Sequence, residues 1–142
     1  ARSGGYTLGL RPGSKAMAVD IVLYQGSKEC LTYSGTEVPD GLTVDRAYWM
    51  LKNAWSDSDA DALISKDIDS VEDAAEGVIS DNGSGDNEAE LMFYIAADDC
   101  DAIAPGTYFC AVKAILSDSS AYVFPDSFQT VQVYAGGIEA VT

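Results

Sequence analysis

The sequence contains no histidine among its 142 residues. Histidine is the side chain most often used as a general base and as a transition-metal ligand, so its absence excludes a Ser-His-Asp or Cys-His catalytic site. Paired carboxylates, as used for glycoside cleavage, remain possible by composition. However, most of the acidic residues lie in predicted loops, and no pair of them is marked as buried. We therefore predict a protein that is not an enzyme and that uses no cofactor.

Basic residues are also scarce. Eight Lys and Arg stand against 23 Asp and Glu, which gives a formal net charge of −15. A surface of this sign repels nucleic-acid phosphates and anionic lipid headgroups. Long apolar runs are missing as well, since none approaches the roughly 18 residues needed to span a bilayer. We expect neither nucleic acid nor a membrane as a partner.

The few basic residues are unevenly placed along the chain. Residues 1–19 contain three basic residues and no acid, whereas residues 37–101 contain 18 acidic residues and only three basic ones. The first fifteen residues are rich in Gly, Ser and Pro and show no helical or alternating period, which is typical of an extended or flexible segment. The sequence therefore predicts a basic N-terminal arm over residues 1–17, followed by one domain over residues 18–142.

The arm is the first candidate for a partner-binding element. Its isolated apolar side chains and its second arginine are the expected contacts, namely Tyr6, Leu8, Leu10 and Arg11. A basic segment attached to an acidic body is suited to docking on an acidic neighbour, including another copy of the same chain. The alternative is that the arm packs against its own domain.

From residue 18 onward, short runs rich in β-branched and aromatic residues alternate with Gly, Pro, Asp and Asn. This spacing predicts an all-β protein, an antiparallel β-sandwich of one domain. The predicted strands are residues 19–24, 29–33, 46–52, 62–66, 77–80, 89–95, 107–116, 121–124 and 128–134. Within the third run, Ala47, Trp49 and Leu51 alternate with Tyr48 and Met50, so one face of this strand is expected to be core.

The three cysteines are an odd number, which favours free thiols that pack as small hydrophobic side chains. Cys110 lies in phase with the apolar residues of the longest predicted strand, as a core residue would. The alternative is an immunoglobulin arrangement, because Cys30, Trp49 and Cys110, with Tyr108 two residues before the last, follow the Cys-Trp-Tyr-x-Cys order of that fold. That alternative predicts a Cys30–Cys110 disulfide.

The acidic loop after the third run begins like a calcium-binding EF-hand loop, with Asp57, Asp59 and Asp61 at alternate positions. The pattern then fails, since Ala62 replaces the required Gly and Ile68 replaces the bidentate Glu. A solvated loop is therefore the preferred interpretation, and no metal site is predicted. Trp55 stands beside this loop, where an exposed ring would contact a partner, so we add it to the candidate partner-binding residues.

The order of motifs resembles the immunoglobulin-like domain of tailed-bacteriophage virion proteins, a group that includes the N-terminal domain of phage baseplate upper proteins. The similarity rests on the turn at residues 35–43 (GTEVPDGLT), the aromatic strand at 47–52 (AYWMLK) and the segment at 61–66 (DALISK). It rests most of all on residues 98–108 (DDCDAIAPGTY), where Pro-Gly reverses the chain and Thr-Tyr begins a strand.

This resemblance implies a structural role in a virion that is assembled in the host cytoplasm, at the head surface, neck, collar, tail or baseplate. The expected partners are other virion proteins and copies of the chain itself. A different class of function stays open, namely a β-sandwich module that binds a carbohydrate or a cell-surface partner. The aromatic side chains available for a sugar-binding platform are Tyr48, Trp49, Trp55 and Tyr94.

Overall fold

The computed structural model describes residues 6–9, 21–54 and 56–135, with residues 6–9 and 124–128 described by their backbone alone. These residues form nine strands: β1 Tyr6–Gly9, β2 Ile21–Tyr24, β3 Glu29–Glu37, β4 Val44–Lys52, β5 Ile64–Ile68, β6 Gly77–Asn82, β7 Glu88–Ile95, β8 Gly106–Leu116 and β9 Ala121–Tyr134. The described helical structure is one short 3₁₀ turn, Asp59–Asp61. No helix in this part of the chain is long and apolar enough to cross a membrane.

The strands form two sheets. One has the order β1-β3-β7-β6 and the other the order β2-β9-β8-β4-β5. These orders correspond to the ABED and GFCC′ sheets of immunoglobulin domains. The predicted all-β, immunoglobulin-like sandwich is therefore confirmed, and its main strand pairs are antiparallel.

The two N-terminal strands differ from the predicted antiparallel pattern. β1 pairs with β3 in parallel, and β2 pairs with β9 in parallel, each at the edge of its sheet. Residues Tyr6–Gly9 thus belong to a sheet of their own chain, as in the second alternative for the arm. Residues 10–20 lie outside the described residues, so the boundary between residues 17 and 18 stays a prediction.

The core lies between the two sheets and is built from alternate residues of each strand. In β4, Ala47, Trp49 and Leu51 have no exposed surface, whereas Tyr48 and Met50 on the opposite face are only half-buried. The predicted core face of this strand is therefore confirmed. On the core face of the four-stranded sheet, the rings of Tyr33 and Phe93 on the adjacent strands β3 and β7 meet edge to face at 5.9 Å between centroids.

The last strand was predicted as two runs, and this prediction is wrong. Residues 121–134 form one continuous strand, β9, which is irregular in the middle: Phe124 pairs with Val112 and Gln129 pairs with Cys110. Residues 125–128 therefore lie opposite Ala111 alone. Pro125 has no N–H to donate to a ladder, so it is accommodated at this irregularity within one strand.

A hydrogen-bonded network occupies the centre of the sandwich. The indole N–H of Trp49 donates to Tyr33 Oη at 3.1 Å, and the Tyr33 hydroxyl donates to Gln129 Oε1 at 2.9 Å. The thiol of Cys110 approaches the same Gln129 oxygen, with Sγ at 3.9 Å. These side chains are buried, so the network satisfies polar atoms that would otherwise destabilise the core.

The Cys30–Cys110 disulfide is absent, because all three cysteines are free thiols. Cys30 is half-buried and lies one residue out of phase with the buried Leu31 and Tyr33, so it is on the outer face of β3. Tyr33 and Cys110 lie on the two strands that the inter-sheet disulfide joins in immunoglobulin domains. In this chain the hydrogen bonds through Gln129 link those strands instead.

The entry to β8 keeps another feature of the immunoglobulin fold. The hydroxyl of Tyr108 donates to the backbone oxygen of Ala104 at 2.5 Å, four residues upstream. This contact is the tyrosine corner, in which a Tyr two residues before the second cysteine holds the preceding turn. It fixes the start of the strand that carries Cys110 and Lys113.

Candidate protein-binding surface

The outer face of the five-stranded sheet contains a shallow groove of about 190 Å³ across β4, β8 and β9. We term it the lysine groove. Its lining residues are Tyr48, Met50, Lys52, Asp59, Ala111, Val112, Lys113 and Val123. Most of these side chains alternate with core residues along their strands, so the pattern that buries the core also places them on the outside.

Strand register brings the groove residues together. Tyr48 pairs with Lys113, and Lys113 pairs with Val123, which makes one row across three strands. In the next row Met50 pairs with Ala111, whose small side chain leaves room above the sheet. Val123 is 48% exposed at one end of the first row. The result is an apolar floor on rigid strands.

The two lysines of the groove differ in their partners. The ammonium group of Lys52 donates to Asp59 Oδ1 at 2.8 Å and to the backbone oxygen of Asp57 at 3.0 Å. This hydrogen bond and the positive charge of Lys52, helped by the charge of Lys113, lower the pKa of Asp59. Among the described residues, Lys113 has no hydrogen-bond or ion-pair partner of its own.

A groove of this kind suits a protein partner. Its floor accepts an apolar side chain, and Lys113 at its centre can pair with a carboxylate. A pair formed there is partly shielded from water, because Lys113 is half-buried. The groove thus offers a partner an ion pair and apolar contacts, both of which contribute to non-covalent binding.

A second concavity of about 310 Å³ lies beside β5, and its lining is mainly acidic. Its carboxylates are engaged within the chain. Asp67 receives two hydrogen bonds of 2.7 Å from Arg46, Glu76 accepts the N–H of Asp67, and Glu72 accepts the hydroxyl of Tyr94. No group of three or more acidic or cysteine side chains in the described part of the chain is arranged to hold a metal ion.

The aspartates of the predicted acidic loop also make internal contacts. Asp57 Oδ2 accepts the N–H of Ala54 at 3.1 Å, Asp59 pairs with Lys52, and Asp61 Oδ2 accepts the hydroxyl of Ser58 at 3.1 Å. The three side chains therefore stabilise the turn itself. This use agrees with the preferred interpretation of the segment as a loop.

The predicted partner-binding residues lie mostly outside what the structure describes. Leu10, Arg11 and Trp55 are not among the described residues, and Tyr6 and Leu8 are described only by the backbone of β1. Their roles as contacts stay predictions. The lysine groove was missed, although the outward positions of Tyr48 and Met50 were a signal for it.

The sugar-binding platform proposed from the sequence does not form as a set. Trp49 is fully buried, so it presents no surface to a ligand. Tyr48 lies on the outer face of β4, and Tyr94 lies on β7 in the other sheet, with its hydroxyl 2.7 Å from Glu72. Two of the four aromatic rings are therefore on opposite sheets, and a third is in the core.

The thiols should differ in reactivity. Burial raises the pKa of Cys100 to about 11, with a further contribution from the charges of Asp99 and Asp101. Cys110 is also buried, whereas Cys30 is half-buried. Because the thiolate is the reactive form, we expect iodoacetamide at pH 8 to label Cys30 roughly tenfold faster than either other thiol. Peptide mass spectrometry at successive times measures the labelling rate of each cysteine. Equal rates for the three thiols in the folded protein would contradict the prediction. As a control, unfolding in denaturant should make the three rates equal.

Comparison with known proteins gives no family assignment. No family model matches the chain, and no curated protein matches it. The solved structures that match include the extracellular domain of the voltage-gated sodium channel beta4 subunit, reported as parallel homodimers that explain its role in cell–cell adhesion. That match is 15% identical, covers 95% of each chain and has a TM-score of 0.31. The fold is defined by the strand order of the two sheets.

Proposed function

We propose that this chain is a structural protein of a tailed-phage virion, which assembles with neighbouring subunits and catalyses no reaction. Its place would be the head surface as a decoration protein, the neck or collar, or the tail or baseplate. The lysine groove carries the proposal, since it is an apolar surface on an acidic protein and its Lys113 has no ion-pair partner among the described residues. The resemblance of the sequence motifs supplies the virion setting.

The composition of the groove favours a protein over other ligands. Tyr and Met are enriched in the centres of protein interfaces, and both lie on its floor beside the exposed Val123. The net charge of −15 opposes binding to a nucleic acid. In a particle with many copies, a contact of modest affinity is sufficient, because repeated contacts act together.

Replacing Lys113 by Glu tests the groove, because the substitution turns the cation at its centre into an anion. We expect incorporation of Lys113→Glu into particles to fall at least about tenfold, the scale of one lost charge-assisted contact. Lys28→Glu is the matched control, since Lys28 is exposed in the turn between β2 and β3, away from the groove. Each variant is supplied in place of the natural chain, and its peptides are counted by mass spectrometry in gradient-purified particles.

The outcomes separate two parts of the proposal. If purified particles contain no peptides of the wild-type chain, the virion role is wrong. If Lys113→Glu is incorporated as well as Lys28→Glu, the groove is not the contact. Both variants should show the same unfolding midpoint as the wild type, which excludes a folding defect as the cause.

A carbohydrate or cell-surface partner is the second candidate. One observation favours it: Tyr48 is only half-buried in the groove, and the guanidinium of Arg46 lies 5.9 Å from its ring centroid. Small-ligand sites commonly combine aromatic surface with a few placed polar or charged groups, as Tyr48 and Arg46 do here. Binding of the isolated protein to a glycan array, together with its absence from purified particles, would favour this candidate over the first.

A further inference from the structure

A lysine occupies a core-facing position on β5. Lys66 stands between the buried Ile64 and Ile68 in the alternation of the strand, and it pairs in register with the fully buried Trp49. Only 5% of the surface of Lys66 is exposed. Lysine is almost never buried to this extent unless it is paired, because its charged form is strongly hydrated in water. The surroundings of Lys66 must therefore compensate for its burial.

The amine of Lys66 is held against one carboxylate. Its Nζ lies 2.7 Å from Asp99 Oδ2 and donates to the backbone oxygen of Ala75 at 2.8 Å. Asp99 belongs to the connection between β7 and β8, and its Oδ2 also accepts the N–H of Ala96 at 2.6 Å. With ordinary bond lengths, Lys66 Nζ is then roughly 3.5 Å from Asp99 Cγ, the separation expected of two groups that are placed to react.

A third ionisable side chain, Glu29, is buried in the same region. Glu29 is 5% exposed, and it pairs in register with Ile95, the last residue of β7 before the turn that contains Asp99. Burial is the main cause of the raised pKa of the Cys100 thiol. The charges of Asp99 and Glu29 raise this pKa further, and the charge of Lys66 lowers it. The three charged side chains therefore form one cluster around Cys100.

We propose that Lys66 and Asp99 become joined by an intramolecular isopeptide bond, with Glu29 as the proton relay. After a proton moves from the ammonium group to the carboxylate, the neutral amine attacks Asp99 Cγ. The Nζ–Cγ bond forms, and the bond from Cγ to the protonated oxygen breaks. That oxygen leaves as water with a second proton, which Glu29 takes from the nitrogen and passes on. No atom changes its oxidation state, and no co-reactant is needed.

The bond would form once in each chain, within the chain itself. It therefore involves no turnover of a substrate, and it is compatible with a protein that is not an enzyme. The inference goes beyond the proposed function and does not depend on it, because the cluster lies inside one chain.

Burial and proximity favour the reaction. In water a lysine and a carboxylate do not condense, because both groups are charged and hydrated. In a buried pair the neutral amine and the neutral acid form at a lower cost, since the charged forms have lost their hydration. Well-oriented groups within one molecule also react as if present at about 10⁵–10⁸ M.

The hydrogen bonds around the pair suit the amide product. The nitrogen of an isopeptide bond keeps one N–H, which the backbone oxygen of Ala75 is in place to accept. The oxygen that stays on Asp99 accepts the N–H of Ala96. The bond replaces two charges by one neutral group whose donor and acceptor both have partners. It also connects β5 covalently to the turn between β7 and β8.

The pair of Lys52 and Asp59 provides an internal comparison. Its nitrogen–oxygen distance of 2.8 Å is almost the same as that between Lys66 and Asp99. However, the Asp59 side chain is 56% exposed, against 24% for Asp99. An exposed carboxylate stays hydrated and charged, so it is not attacked by an amine. We expect no bond between Lys52 and Asp59.

The mass of the intact chain, measured after purification in the folded state, tests the proposal. We expect the wild type to be lighter than its sequence by the mass of one water molecule. Lys66→Arg keeps a cation but lacks the nucleophilic amine, so it should have the full mass of its sequence. Lys52→Arg is the matched control, and it should still be lighter by one water.

Digestion with trypsin locates the bond. Trypsin does not cleave after an acylated lysine, and Lys66 is the only Lys or Arg between residues 53 and 112. The wild type should therefore give residues 53–113 as one peptide that lacks one water. Lys66→Arg should give two separate peptides, residues 53–66 and 67–113.

Two results would overturn the bond. One is a wild-type chain that has its full mass, a result that does not require any variant to fold. The other is loss of water that persists in Lys66→Arg, which would place the dehydration elsewhere, as in cyclisation at Asp40-Gly41. In cells sampled at intervals after induction, Glu29→Gln should contain at least about tenfold less bonded chain at early times. A wild-type time course for Glu29→Gln would overturn the relay role alone.

Discussion

Trp49→Ala is expected to lower the free energy of unfolding by about 3–5 kcal/mol, the usual cost of removing a large buried aromatic side chain. Trp49 has no exposed surface and lies on the interior strand β4, whose neighbours are β8 and β5. Its loss leaves a cavity between the sheets. It also removes the indole donor to Tyr33 Oη, so part of the core network loses a partner.

Urea unfolding followed by far-ultraviolet circular dichroism measures this change. Tyr134→Ala is a suitable control, because Tyr134 is a large aromatic residue that is 46% exposed, and its loss should cost much less. Trp49→Phe keeps an aromatic ring without the N–H, and it should fall between the wild type and Trp49→Ala. A loss below about 1 kcal/mol for Trp49→Ala would mean that Trp49 is not packed in the core as described.

Gly77→Ala has the second large expected effect, a loss of about 3 kcal/mol or more from combined strain and overpacking. Gly77 begins β6 with a φ of +138°, a conformation that favours glycine. A Cβ at this position would lie 2.0 Å from the backbone oxygen of Met92 and 3.0 Å from Ile68 Cγ2. The oxygen belongs to the neighbouring strand β7, so the sheet itself must shift.

Gly85→Ala separates the two contributions. Gly85 also has a positive φ, +97°, but a Cβ there meets nothing within 4 Å. This variant therefore carries the backbone strain without the clash and should cost about 1–3 kcal/mol. The same urea titration compares them. If the two variants lose equal stability, close approach of β7 to Gly77 does not contribute.

The sequence predicted much of the fold because strand periodicity is local. The alternation of residues 46–52 identified the buried face of β4, and the phase of Cys110 identified the core face of β8. The parallel pairing of β1 and β2 was not predictable in this way, because parallel partners are distant in sequence and the Gly-rich N-terminal segment shows no period. The sequence did not predict that β9 is continuous, because Pro125 lacks an N–H and therefore predicts a break between two strands.

The lysine groove could be predicted only in part. Alternation showed that Tyr48 and Met50 face away from the core, but it did not show which side chains lie beside them. That depends on the register between β4, β8 and β9, which places Lys113 between Tyr48 and Val123. That Lys113 has no partner among the described residues likewise depends on the fold and not on local sequence. The predicted contacts in the arm and at Trp55 rested on composition, and they stay predictions.

The network of Trp49, Tyr33 and Gln129 has a consequence for where the chain can fold. A domain held by an inter-sheet disulfide requires an oxidising compartment, and it loses stability when a reductant is present. Here the two sheets are connected by hydrogen bonds, and the cysteine on β8 contributes a thiol. Hydrogen bonds do not respond to the thiol–disulfide balance of the surroundings. The described contacts that join the two sheets of this immunoglobulin-like domain therefore do not depend on an oxidised cysteine pair.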